Sequence, residues 1–191
     1  MAPERSYPTL NLEQLKQLPI DSISHENTCL FMWFTNKYLT RIDELLKAWN
    51  YVYKDIAFVW CKHYANGKEV CGLGWLTRHS VEMCLFAYRK NRTLGIMKQR
   101  KNTNVKQILH AIKREHSRKP DICRKLVSDL LHHENKIELF ARKYDDSKYF
   151  TGWEIWPQQI HEQACLPRKR KAADKAADKR KAAHPYNKCS K

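Results

Sequence analysis

The sequence predicts an α/β fold in which strands and helices alternate in layers, and three observations carry that expectation. The first is a set of short, uncharged, aromatic runs, clearest in Cys29-Leu30-Phe31-Met32-Trp33-Phe34-Thr35, which have strand length and no polar face. The second is the set of helical stripes between them, such as Leu39, Ile42, Leu45, Leu46 and Trp49. The third is the pairing of Glu115-His116-Ser117-Arg118-Lys119-Pro120-Asp121 with Ile137-Glu138-Leu139-Phe140-Ala141-Arg142. The former reads as a charged turn entering a helix, with Ser117 as N-cap and Pro120 and Asp121 in the first turn. The latter reads as a buried strand ending in an acid and a base. A charged helix entrance facing a strand end is where α/β proteins bind nucleotide-like ligands.

The elements follow in order. Leu12, Leu15 and Leu18 are spaced as in a short amphipathic helix closed by Pro19. After the strand at 29–35, Asn36 is placed to cap the helix that carries the Leu39-to-Trp49 stripe. Residues 53–62 form a second strand around Ile56, Phe58 and Trp60. Gly67, Gly72 and Gly74 punctuate a loop before a third strand at 80–88. Residues 89–104 read as an open loop, with six Lys/Arg between Arg89 and Lys101 and no acid. A strand at 105–113, a helix at 120–132, a strand at 136–140 and a short last strand at 152–156 complete the series.

Composition sets limits on function. The chain of 191 residues is 42% apolar, enough for one globular domain with appendages. No apolar run approaches the roughly 20 residues that span a bilayer, and no signal region follows Met1, so secretion is not expected. The seven cysteines are never spaced C-x-x-C, a pattern suited to reduced thiols in the nucleus or cytoplasm. The net charge of +16 is uneven: residues 166–191 hold ten Lys/Arg against two Asp, half of the excess. Such a surplus suits a polyanionic partner, nucleic acid above all. The Lys-Ala-Ala-Asp repeats of that stretch have no core-forming residues and are expected to be disordered or transiently helical. The division is therefore a domain over 1–165 and a basic tail over 166–191, whose two basic clusters would also suit a nuclear-import signal.

Searches for other chemistry return little. Cys61-x-His63 and His132-His133 lack second ligand pairs at zinc spacing, so no metal is expected. Cys84 lies in an apolar strand, where an inert buried thiol is the default. Gly72-x-Gly74 has neither the third glycine nor the helix of a dinucleotide loop. Lys119 and Arg118 are either solvated residues near a helix start or ligand donors, and residue type alone leaves both open. Trp33, Trp49, Trp60 and Trp153 are core residues by context. Trp75 beside Arg78 is the best aromatic for stacking on a base.

Several words taken in order resemble one family. They are Tyr7-Pro8-Thr9, Leu18-Pro19-Ile20, Leu30-Phe31-Met32-Trp33-Phe34-Thr35-Asn36, Leu46-Lys47-Ala48-Trp49 and Trp60-Cys61-Lys62. Gly72-Leu73-Gly74-Trp75-Leu76-Thr77-Arg78, Glu82, Cys84-Leu85, His116-Ser117-Arg118-Lys119-Pro120-Asp121, Glu138-Leu139-Phe140-Ala141-Arg142 and Gly152-Trp153 continue the series. Together they resemble the adenine-N6 methyltransferase family named after the seventy-kilodalton subunit of the mRNA methyltransferase, nearest its bacterial and viral DNA-type branch. The resemblance implies a Rossmann-like sheet with permuted motif order that uses S-adenosylmethionine (SAM) to methylate adenine in DNA, or in RNA.

By the same resemblance Lys119 lies near the amino-acid end of the cofactor. Glu138, Arg142, Lys143 and Tyr144 line its pocket, and Gln158 and Gln159 stand where the ribose is held. Pro157 precedes that pair where the family has glycine then asparagine, which removes a backbone donor. Nucleic acid is expected to meet Trp75, Arg78, Arg89, Lys90, Arg92, Lys98, Arg100 and Lys101. The family's Asp-Pro-Pro-Trp loop, which holds the adenine amine, has no counterpart in the 191 residues, so no catalytic residue is identified. The strand bearing that loop would sit in mid-sheet, between the strands at 136–140 and 29–35. The expectation is therefore a chain incomplete at its N-terminus and belonging to a longer reading frame. The alternative is a catalytically inactive subunit that binds nucleic acid beside a catalytic partner.

Overall fold

In the computed structural model, residues 9–93, 95–133, 135–141 and 148–156 are described. They form β1 (Cys29–Phe34), β2 (Tyr51–His63), β3 (Val81–Arg89), β4 (Ile108–Ile112), β5 (Ile137–Leu139) and β6 (Glu154–Trp156). The α-helices are α1 (Leu12–Lys16), α2 (Ile42–Ala48), α3 (Ile96–Gln99) and α4 (Ile122–Leu130), joined by several 3-10 turns. The main sheet has the order β1-β3-β2-β4, and β5 and β6 form a separate parallel pair. Because β3 runs antiparallel to both β1 and β2, and β4 parallel to β2, the carboxyl ends of β1, β2 and β4 share one end of the sheet.

Alternation in β1 divides the core. Leu30, Met32 and Phe34 join the cluster of Leu45, Leu46, Trp49, Tyr51, Leu85 and Ala87 under α1 and α2. Phe31 and Trp33 point the other way, to Phe58, Cys84, Leu109 and Cys123 under α4. The strand thus packs on both faces, as expected of an uncharged aromatic run, but only Phe34 is fully buried and Cys29 to Trp33 are half-buried. Register shifts in β2 between Tyr53 and Asp55, and between Ile56 and Phe58, reverse its alternation twice. Ile56 therefore meets the α1/α2 core while Phe58 meets the α4 core. Burial pushes the Cys84 thiol well up, so it is an inert packing group. Leu139 and Trp156 pack against the first core, yet among the described residues no strand joins β5 to β1.

Several expectations change. Asn11, with a capping box to Gln14, starts α1. Asn36 does not cap an α-helix: residues Asn36–Arg41 wind as 3-10 and α2 begins at Ile42, which leaves Leu39 55% exposed and outside the stripe. Ser117 is not the N-cap of α4. It sits at φ +65°, the helix starts at Ile122, and the N-cap Asp121 spends its carboxylate on arginines rather than on the helix. Residues 89–104 are not an open loop throughout, because α3 lies within them and Arg100 bridges to Leu131. The backbone bonds Lys101 N–H to Leu130 (2.7 Å) and His132 N–H to Gln99 (2.8 Å) staple it down.

Candidate functional site

At the carboxyl end of the sheet, three charged side chains from three elements converge. Glu82 opens β3 on the α4 face, opposite Trp60 in the ladder. Two residues beyond Trp60, Lys62 projects on the same face and reaches the Glu82 carboxylate at 3.4 Å. Lys119, on the turn before α4, reaches its other oxygen at 2.7 Å. All three are largely withdrawn from solvent. Burial alone would push the Glu82 carboxyl up, but Lys119 and then Lys62 outweigh it and hold it below the ordinary carboxylate range. The cluster carries two cations and one anion, so one positive charge is left over at the place where α/β sheets bind ligands.

A second network adjoins it. Asp121 accepts from Arg114 (2.6 Å), Arg124 (2.9 Å) and Arg118 (3.3 Å), which outweigh the desolvation of its carboxyl and hold it low. Arg124 also donates through Nε to Glu138 at 2.5 Å and lies 3.7 Å over the ring of Phe150. Glu138 is therefore tied to α4 by a charge-assisted bond. Sequence reasoning assigned no site role to Lys62, Arg114 or Arg124, although Lys62 stood within the Trp60-Cys61-Lys62 word. The one available signal was Lys62 itself, a cation alternating with Trp60 inside an apolar strand.

The expected nucleic-acid residues are split between the two ends of the sheet. At the carboxyl end, Gly72 and His79 exchange backbone bonds of 2.9 and 3.2 Å and close a tight loop. A Cβ on Gly74 would meet the Thr77 carbonyl at 2.1 Å, so only glycine fits that turn. Leu73, Trp75 and Leu76 consequently stand in solvent, Trp75 fully, beside exposed Arg78. At the other end, Arg89 is engaged inside the protein by Asp21 (2.5 Å), by the Trp49 carbonyl (3.1 Å) and by the Tyr51 ring. Arg92 stacks 3.9 Å over Tyr88. Lys90, Lys98, Arg100 and Lys101 are exposed there. Arg142, Lys143, Tyr144, Pro157, Gln158, Gln159 and the basic tail lie outside the described residues.

Comparison with known proteins agrees with this architecture. The type II methyltransferase M.MunI of Mycoplasma is 34% identical over 154 residues, which cover 81% of this chain and 60% of the relative. The RNA methyltransferase MTA1 of Cryphonectria parasitica is 29% identical, with 78% and 42% covered. An MT-A70-like adenosine methyltransferase of Arabidopsis thaliana is 26% identical over 78% of this chain. The chain thus spans no more than 60% of the length of these relatives. The crystal structure of M1.HpyAVI, a complex with SAM, superposes with a TM-score of 0.50 at 16% identity, over 80% of this chain and 79% of that one, and shows the shared fold. The MT-A70 family model matches residues 2–156. With the order of its motifs and its sheet accounted for in that way, the chain belongs to the MT-A70 family.

Proposed function

We propose that this chain is the cofactor-holding part of a SAM-dependent adenine-N6 methyltransferase acting on DNA. The observation that carries the reading is the Glu82–Lys119–Lys62 cluster at the carboxyl end of the sheet. The amino-acid end of SAM bears one carboxylate and one ammonium. Lys119 and Lys62 supply ammonium donors for the former, and Glu82 supplies an acceptor for the latter. SAM when bound supplies an electrophilic methyl group. The residues of this chain would bind and orient it, so that the barrier falls through positioning rather than through covalent chemistry. Trp75 and Arg78, raised on the glycine-closed loop at the same end, would meet the nucleic acid there, the ring by stacking and the guanidinium at phosphate. The preference for DNA over RNA rests on the M.MunI likeness being the higher in identity.

Calorimetry with SAM tests the reading. Wild-type chain should bind SAM, and Lys119→Ala should weaken binding by tenfold or more, about 1.4 kcal/mol. A wild-type chain that binds no SAM overturns it. A second reading is a catalytically inactive subunit that binds nucleic acid beside a catalytic partner. It expects methyl transfer to DNA only when such a partner is added, and transfer by this chain alone would refute it.

A further inference from the structure

Sequence spacing gives Cys61-x-His63 no partner ligands, yet the fold brings one beside it. In the parallel ladder of β2 and β4, Cys61 lies opposite His110 and His63 opposite Ile112. His63 and His110 are 47 residues apart in the chain, but Nε2 of the first and Nδ1 of the second are 3.0 Å apart. Their rings stack at 5.2 Å with 27° between planes. Leu109 belongs to the α4 core, so His110 projects from the opposite face of the sheet. That face is open at this end: Ile108 and Ile112 are 56% and 53% exposed. Glu69, exposed on the segment that folds back on β2, is bridged directly to His63 and so shares its face.

Among the described residues, no three His, Cys, Asp or Glu side chains already converge on one point. Two do. Nitrogens coordinated at about 2.0–2.1 Å in a tetrahedral zinc site lie a little over 3 Å apart. The spacing of His63 and His110 is within a few tenths of an ångström of that, and the exposed His110 ring is free to turn its lone pair outward. Imidazole pairs of this kind select borderline cations over magnesium or calcium.

We propose that His63 and His110 form a surface chelate for a divalent transition metal, zinc by preference among available ions. Cys61 and Glu69 are the neighbours that rotate in to raise the ligand number, and water completes the shell. The ion takes the place of the hydrogen bond between the two rings, and the displaced N–H proton moves to the outer nitrogen of its own ring, which leaves both inner nitrogens as ligands. It ties the edge strand β4 to β2 beside Lys62, which projects from the other face of the same strand.

Calorimetric titration of the full chain with zinc chloride, in a buffer that does not bind metal, tests the site. The expected result is saturable binding that loses more than about tenfold in affinity in His63→Gln and again in His110→Gln. Even the loss of a second-shell partner costs 10–100-fold. Both substitutions are at the surface, and circular dichroism should show an unchanged fold. Thermal melting should rise with zinc in wild type and lose that rise in the double variant. In Cys61→Ser, weaker binding is the expected result and makes the thiol a ligand, whereas unchanged binding overturns its part in the shell. A wild-type chain that binds no zinc, or an isotherm that survives both glutamine variants, overturns the proposal.

Discussion

The two ends of the main sheet use the same residue types to opposite effect. At the amino end of β1, Arg89 is matched by Asp21, a carbonyl and a ring, and Arg92 lies on Tyr88, so these two cations act as structural clamps. At the carboxyl end, Glu82 faces two lysines and the cluster keeps a net positive charge. Backbone strain divides in the same way. The left-handed residue at the first end is Asn50, a type that tolerates φ +60°, whereas Ser117, beside Lys119 in sequence, holds φ +65°. Left-handed serine is retained only where the surroundings enforce it, and such positions gather at binding sites. One end holds two of its arginines in the fold and places its left-handed turn on a tolerant asparagine; the other keeps spare charge beside a strained serine.

The sharpest way to break this comparison is at Glu82. Glu82→Gln keeps the shape and leaves Lys62 and Lys119 repelling each other with little solvent. Breaking a buried pair costs about 3–5 kcal/mol, and the residual exposure here puts the expected loss near the lower limit. Urea unfolding with an unchanged slope measures it. The pH dependence gives an independent check. Because the folded carboxyl titrates below its ordinary value, its contribution is complete above about pH 4.3 and is lost as pH falls through the folded value. Wild type should lose stability on acidification from about pH 4.3 downward, and Glu82→Gln should lose less over that range. Identical acid profiles would remove Glu82 from the account.

Trp75 sharpens the comparison from the side of function. Its ring is fully exposed and its loop is closed by Gly72 and His79, so Trp75→Ala should leave stability within about 0.5 kcal/mol. DNA binding should weaken by about 1–3 kcal/mol if the ring stacks on a base. Unchanged affinity in a filter-binding or anisotropy titration would remove the loop from the nucleic-acid surface.

How legible the molecule was in its sequence follows the same division between local and distant. The uncharged run at Cys29–Phe34, the leucine spacing of α1 and the hydrophobic side of α4 were all readable, because each is set by neighbours within one element. The bulges of β2 were not, since register against β3 is a property of two strands. Nor was the Glu82–Lys119 pair, whose partners are 37 residues apart, or the His63–His110 contact across a parallel ladder. Charge misled at Arg89: a basic run reads as a solvated loop until Asp21, 68 residues earlier, is found against it.

Arg89 therefore supplies the third test. Arg89→Ala removes an ion pair with an exposed Asp21, worth little, together with a carbonyl hydrogen bond and a cation–π contact, worth about 1 kcal/mol or less each. The expected loss is about 1–2 kcal/mol of stability, with SAM and DNA affinity unchanged at neutral pH. A drop in DNA affinity without loss of stability would reverse the assignment and return Arg89 to the nucleic-acid surface.

The smallest effect is the most discriminating about strain. Ser117→Gly relieves a left-handed conformation costing about 1–2 kcal/mol for a side-chain-bearing residue, and adds glycine's unfolded-state entropy of about 0.5–1 kcal/mol. It also gives up the contact of Ser117 Oγ with His116 Nδ1 at 3.0 Å. The balance is a gain of about 0.5 kcal/mol, read as a rise in urea midpoint. Asn50→Gly should gain less, because asparagine already tolerates that region. If Ser117→Gly raises stability while lowering SAM affinity, the strain holds Lys119 in its binding position, as expected where conformational energy is kept for a ligand. If it raises stability and leaves affinity alone, the left-handed turn only sets the entry of α4, and the contrast between the two ends rests on charge.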